Sequence, residues 1–229
     1  MSKIIEGVYR LDDPSGANTY IIVDEGITLI DTGMNKNLPK ISAELKILGF
    51  GVKDIMNIVI THAHYDHYQC LAQLKEETSA RVLVGEADAD VVEGKVPMPL
   101  PKGGMGLVFR VIRPMIRIRP VQVDVRLKDG DTVDVLGGLK VISLRGHTPG
   151  SIGLYLPQMS LIFSGDAVGH RKDKLQVPAM YKENRDECNA AIRRLSEMNA
   201  ELILPGHGTP IRPEASEQLR TFYQGLTGK

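Results

Sequence analysis

Residues 58–67 read Ile58-Val59-Ile60-Thr61-His62-Ala63-His64-Tyr65-Asp66-His67, a branched apolar run that ends in three imidazoles and a carboxylate. The run predicts a strand. In an extended chain, residues two apart point the same way, so His62 and His64 can grip one ion from a single side. Asp66 and His67 follow the turn into a helix expected over Tyr68–Glu77 and point to a second position close by. Imidazole and carboxylate without thiolate suit zinc, iron or manganese, and the ligand set alone does not choose among them. A lone histidine is most often a satisfied surface or core residue, a reading that does not extend to four candidate ligands within six residues.

Three further candidates lie far along the chain. They are His147 in Arg145-Gly146-His147-Thr148-Pro149-Gly150, Asp166 in Ser164-Gly165-Asp166, and His207 in Pro205-Gly206-His207-Gly208. Each sits in a Gly-bounded loop at the end of an apolar strand, where binding groups accumulate on a rigid sheet. With the first cluster they make seven ligands, which suffices for two ions sharing a carboxylate.

Branched runs predict strands at Tyr20–Val23, Ile27–Asp31, Ile58–Thr61, Ala80–Val84, Leu139–Leu144, Ile152–Leu156, Leu161–Ser164 and Glu201–Leu204. Helical apolar spacing lies between them, at Ile41, Leu45 and Leu48 after Pro39, within Tyr68–Glu77, and at Ala191, Leu195 and Met198. A last helix is expected over Pro213–Leu226. Interleaved strands and helices argue for sheet layers covered by helices. The two halves share a plan: a strand pair ending in an acid (Asp31, Asp166), a helical stretch, then a strand delivering a histidine (His62, His207). This suggests a duplicated unit facing its copy across one shared site.

Composition narrows the function classes. With 42% apolar and 24% charged residues, the chain is an ordinary globular one rather than a disordered one. Its formal charge of zero gives no whole-protein field for nucleic-acid binding. No apolar run approaches the ~18 residues needed to span a bilayer, and MSKIIEGVYRLDD has acids where a signal peptide would be apolar, so a cytoplasmic address is expected. Cys70 and Cys188 have no close cysteine neighbour and read as buried small hydrophobes. From Gly94 to Val123 there are six basic residues, Lys95, Lys102, Arg110, Arg113, Arg117 and Arg119, and no acid. A solvated helix face is as good a reading of this segment as a lid, a protomer contact or an anion patch.

His62-Ala63-His64-Tyr65-Asp66-His67 after a strand, then Gly146-His147-Thr148-Pro149-Gly150-Ser151, Gly165-Asp166 and Gly206-His207-Gly208, closely resembles the metallo-β-lactamase-fold hydrolase superfamily. Ile30-Asp31-Thr32-Gly33 matches that family's early strand motif, so the resemblance runs from about residue 7 to about residue 210. It implies the α+β class and an αββα sandwich of two mixed β-sheets flanked by helices, forming one domain over 1–229 with an inserted basic segment at about 94–123. It also implies two divalent ions, Zn2+ first with Fe or Mn as alternatives. His62, His64 and His147 would hold one, Asp66, His67 and His207 the other, with Asp166 bridging. Asp31 would order the histidine loop from behind, as outer carboxylates do, although a capping role for it is nearly as good a reading.

The implied chemistry is a metal-bound hydroxide that attacks a carbonyl or phosphorus centre, with Asp66 orienting the nucleophile and relaying its proton. The expected substrate is a small ester, thioester or lactone, or alternatively a phosphoester. Oligomeric state stays open. His170 matches no ligand position and reads as an exposed loop residue, while Tyr65 and Tyr181 read as packed side chains; any of the three could touch substrate. Hydroxyacylglutathione hydrolases usually append a helical domain, and only 22 residues follow His207 here, which counts against glutathione thioesters. Secreted β-lactamases need an export signal, and nucleases of this fold an additional inserted domain. Two competitors remain: a mononuclear iron enzyme resembling the persulfide dioxygenases, and a non-catalytic metal-stabilised binding protein. Diiron oxidoreductases, which typically carry Glu at the place of His64, rank last.

Overall fold

In the first half of the chain, runs of Ile, Leu and Val stand next to one another in a sheet and bury both faces. The computed structural model describes residues 1–98, 118–178 and 184–228, and the chain divides into two compact units, Met1–Arg126 and Leu127–Lys229. The first unit is built on a seven-stranded mixed sheet in chain order: β1 (Ser2–Ile5), β2 (Val8–Arg10), β3 (Tyr20–Val23), β4 (Ile27–Ile30), β5 (Ile55–Ile60), β6 (Arg81–Gly85) and β7 (Val125–Leu127). Strands β1 to β4 form an antiparallel meander, whereas β4, β5 and β6 run parallel. The parallel strands are nearly continuous apolar runs, as burial on both faces requires.

Helices cover that sheet. Helix α1 (Asn37–Ile47) buries Ile41 and Leu45, one turn apart, in the core with Leu29, Ile58 and Leu74. The helix expected over Tyr68–Glu77 starts earlier and is split into α2 (Tyr65–Tyr68) and α3 (Leu71–Glu77). The break has a backbone cause. The Cys70 N–H donates to the Gly33 carbonyl, while the Asp66 and His67 carbonyls accept from Ala17, Thr32 and Gly33 instead of continuing a helical ladder. Helix α4 (Glu86–Val92) follows β6.

The second unit carries a five-stranded sheet of β8 (Thr132–Val133), β9 (Leu139–Ser143), β10 (Ile152–Leu156), β11 (Leu161–Gly165) and β14 (Leu202–Pro205), in the order β14-β11-β10-β9-β8. Only β11–β14 is parallel. A separate two-stranded ribbon pairs β12 (Gly169–Arg171) with β13 (Lys174–Gln176). Helix α5 (Arg185–Ser196) presents Cys188, Ala191, Ile192 and Leu195 inward, and α6 (Ala215–Thr227) adds Ala215 and Leu219 to the same core.

All eight strands expected from the sequence form, with ends that differ by at most three residues, and the class is α+β with mixed sheets and flanking helices. The duplicated plan is present as topology. In each unit an antiparallel hairpin (β3–β4, β10–β11) leads through a helix (α1, α5) to a strand parallel to the hairpin's second member (β5, β14). Of the basic segment, Lys95 pairs with Glu93 at 2.8 Å and Arg119 with Glu76. Lys102, Arg110, Arg113 and Arg117 lie outside the described residues. No helix among the described residues is long and apolar enough to cross a membrane.

Candidate metal centre

The first unit places its predicted ligands just past the end of β5. His62 and His67 are buried, and His64 and Asp66 half-buried. The His62 ring centroid lies 4.8 Å from that of His64 and 3.9 Å from that of His67, so the three imidazoles form one cluster. Asp66 and His67 share the single turn of α2. Gly16, at φ +87°, lets the chain pass over that turn; a Cβ there would stand 2.6 Å from the Asp66 carbonyl oxygen.

Asp31 holds this cluster from behind. Buried at the end of β4 in a left-handed conformation (φ 56°), it accepts from the Thr61 backbone N–H, the Thr61 hydroxyl and His67 Nδ1, each at 2.8 Å. The tautomers follow from the donor inventory. An acceptor-only carboxylate requires His67 to donate from Nδ1. Thr61, having given its one hydroxyl proton to Asp31, can only accept from His62 Nδ1 at 3.2 Å. In both rings Nε2 is then the nitrogen left to coordinate a cation, the arrangement in which a carboxylate behind a histidine orients it for metal. The backbone is fixed as tightly: the His67 carbonyl accepts from the N–H groups of Thr32 and Gly33 and from the Thr32 hydroxyl.

A residue the sequence reading missed does the same for the loop between His62 and His64. Asp88, buried in the first turn of α4, accepts the Ala63 N–H at 2.7 Å. In sequence it looks like any acid near a helix N-terminus, and nothing in its spacing ties it to residue 63.

The second unit gathers its own three. His147 sits in a loop closed by Thr148 and Ser151 (Thr148 N–H to Ser151 Oγ, 3.0 Å) and laid against α5. A Cβ on Gly146 would meet the Cys188 nitrogen at 2.7 Å, and Asn184 donates to the Gly146 carbonyl at 2.9 Å. Asp166 follows β11 and His207 follows β14, with the Gly206 N–H donating to the Gly165 carbonyl at 2.7 Å. One oxygen of Asp166, Oδ2, lies 3.3 Å from His147 Nε2 and 3.5 Å from His207 Nε2. These separations exceed ordinary N–H···O distances. They match the edge of a tetrahedron whose ligands stand about 2.1 Å from one cation, which is roughly 3.4 Å. The donor set and its spacing therefore fit divalent metal.

The remaining predicted residues are placed as follows. His170 is not in a free loop: it lies half-buried on β12, its Nδ1 3.0 Å from Thr209 Oγ1, and its backbone N–H and carbonyl pair with His207 and Thr209. Tyr65 is half-buried, and burial followed by the charge of Asp66 pushes its hydroxyl pKa up, so it remains an O–H donor. Tyr181 lies outside the described residues. Burial raises the thiols of Cys70 and Cys188 to about 12 and about 11, which keeps both protonated at neutral pH and out of any thiolate role.

Several known proteins resemble this chain in sequence or in fold. A probable metallo-hydrolase of Bacillus subtilis is 26% identical over 227 residues, covering 90% of this chain and 82% of its own length. A hydroxyacylglutathione hydrolase of Cereibacter sphaeroides is 27% identical over 173 residues, 75% of this chain and 55% of that protein. Among solved structures, a metallo-β-lactamase family protein of Thermus thermophilus superposes with a TM-score of 0.78 at 20% identity, over 99% of this chain and 81% of that one, and shares its fold. The sequence pattern of the metallo-β-lactamase superfamily matches residues 12–207, from the loop after β2 to the last candidate histidine, and the chain belongs to that superfamily.

Proposed function

We propose that both units act as one domain over 1–229, a hydrolase of small esters, thioesters or lactones working with two divalent ions, Zn2+ first. His62, His64 and His147 would hold one ion and Asp66, His67 and His207 the other, with Asp166 shared between them. The observation that carries this reading is Asp166 Oδ2 standing 3.3 and 3.5 Å from two imidazole nitrogens, where a shared ligand belongs. When bound, the ions supply a water whose pKa falls from 15.7 toward roughly 7 and polarise the scissile carbonyl.

The chain's own residues do the rest. Asp31 keeps His67 in its Nδ1–H form, and Asp88 holds the loop that carries His62 and His64. Asp66, half-buried on a fixed turn, would orient the water and pass its proton to the leaving group. The relative named as a hydroxyacylglutathione hydrolase supports an acyl substrate.

Elemental analysis of protein purified without added metal, together with assays on lactone, thioester and phosphoester substrates, tests this. About two ions per chain and turnover are expected. One iron with oxygen uptake and no hydrolysis would overturn it. His64→Ala and Asp66→Ala should each abolish turnover by a folded protein, because both side chains are half-buried rather than part of the core; full activity in either would sink the assignment.

A further inference from the structure

Within the second unit, a cavity of about 260 Å³ opens beside the candidate metal residues. Its polar edge is Asp166, His207, Arg171 and Gln176, and its apolar wall includes Val168 and Val177. That volume is below the usual range for whole drug-sized ligands and suits a substituent of a few heavy atoms. The ribbon β12–β13 that forms one side is mounted rigidly. The His170 N–H donates to the His207 carbonyl at 3.3 Å, the Thr209 N–H donates to the His170 carbonyl at 2.9 Å, and Leu175 packs into the apolar core. The Arg171 stem runs over Gly208, whose missing Cβ would stand 3.3 Å from Arg171 Cγ.

Arg171 is exposed, and no carboxylate pairs with it among the described residues. Lys172 and Lys174 flank it, with Asp173 the one acid of the hairpin. A guanidinium is weakly hydrated, rigid and matched to an oxyacid in two parallel hydrogen bonds. Arg171 lines the same cavity as Asp166 and His207, so an occupant of the cavity meets all three residues.

We propose that Arg171 selects substrates whose short aliphatic arm ends in an anionic oxyacid group, a carboxylate or a phosphate, seated in this cavity with the scissile bond toward Asp166. The inference rests on the hydrolase reading for its function but not for its binding step. Calorimetry on the protein as purified uses glutarate, propyl phosphate and neutral glutaramide as probes, with wild type, Arg171→Gln and Arg171→Lys compared. An exposed charge-assisted pair predicts anion binding about two- to fivefold weaker in Arg171→Gln, partly restored in Arg171→Lys, with glutaramide unaffected. The tighter anion names the source. Equal anion affinity in wild type and Arg171→Gln overturns the inference. A second arm compares hydrolysis of the S-phenyl thioesters of glutarate and butyrate. Equal turnover of both by wild type overturns the selectivity and leaves the hydrolase reading standing, whereas Arg171-dependent anion binding without any hydrolysis does the reverse.

Discussion

Asp31 shows how much of a site one carboxylate can organise. It satisfies three donors from Thr61 and His67 while sitting at φ 56°, a conformation that an Asp tolerates better than a bulky residue. Asp31→Ala would leave those buried donors unpartnered, at about 1–3 kcal/mol for each one stranded. Urea unfolding of the ion-free protein should therefore show a loss of about 3 kcal/mol or more, and an unchanged midpoint would contradict the geometry. Asp88→Ala strands at least the Ala63 N–H, so a loss of about 1–3 kcal/mol or more is expected from the same measurement. The two acids differ in legibility. Asp31 stands in a motif, at the end of an apolar strand and before Thr32-Gly33, whereas Asp88 accepts a distant backbone N–H brought to it by the parallel pairing of β5 with β6. The seven ligand candidates could be read because side-chain chemistry and spacing are written in sequence; hydrogen bonds to distant backbone are not.

At the scale of elements, strands with three or more buried residues were legible and the more exposed ones were not. The branched runs of β4, β5, β10 and β11 exclude other readings, but β12 and β13, three residues each and mostly polar, have no apolar pattern to find. The split between α2 and α3 was likewise hidden, since the carbonyls of Asp66 and His67 are taken by Ala17, Thr32 and Gly33, none of them local. The ribbon's attachment to the His207 loop turns on Gly208. At φ +93° its Cβ would stand 1.8 Å from the His170 carbonyl oxygen, a contact with backbone that no rotamer relieves. Gly208→Ala should detach β12 from the loop, at a cost of roughly 1–3 kcal/mol for strain and lost bonds. Hydrogen exchange reads this directly: the amides of His170 and Thr209 should exchange faster while those of β10 and β11 keep their protection. Uniform protection in the variant would show that the ribbon is held otherwise.

For the whole molecule, a net charge of zero hides carboxylates that are far from interchangeable. Each unit has one that ties a helix to a strand through a backbone N–H and a cation. Asp124 accepts from Val82 N–H at 2.8 Å and from Lys75 of α3 at 3.0 Å; Asp129 accepts from Ser143 N–H at 2.7 Å and pairs with Arg194 of α5 at 2.8 Å. Partial burial alone would raise both pKa values, but the amide donors and the cations outweigh it, and both end below the ordinary aspartate value. A group whose pKa is depressed by folding adds stability above its unfolded pKa and loses it as pH falls through the folded one. With an ordinary aspartate near 3.9, the contribution is complete at pH 5 and above, and drains away below about pH 4. Both side chains are partly exposed, so screening keeps the effect modest. The double variant Asp124→Asn, Asp129→Asn should accordingly be less stable than wild type at pH 7, and the gap should narrow as pH falls from 5 to 2, since the native protein loses what the variant never had. Urea midpoints of the two ion-free proteins across that range decide it: parallel curves would mean that the hydrogen bonds, and not the charge on these two acids, fasten helix to sheet.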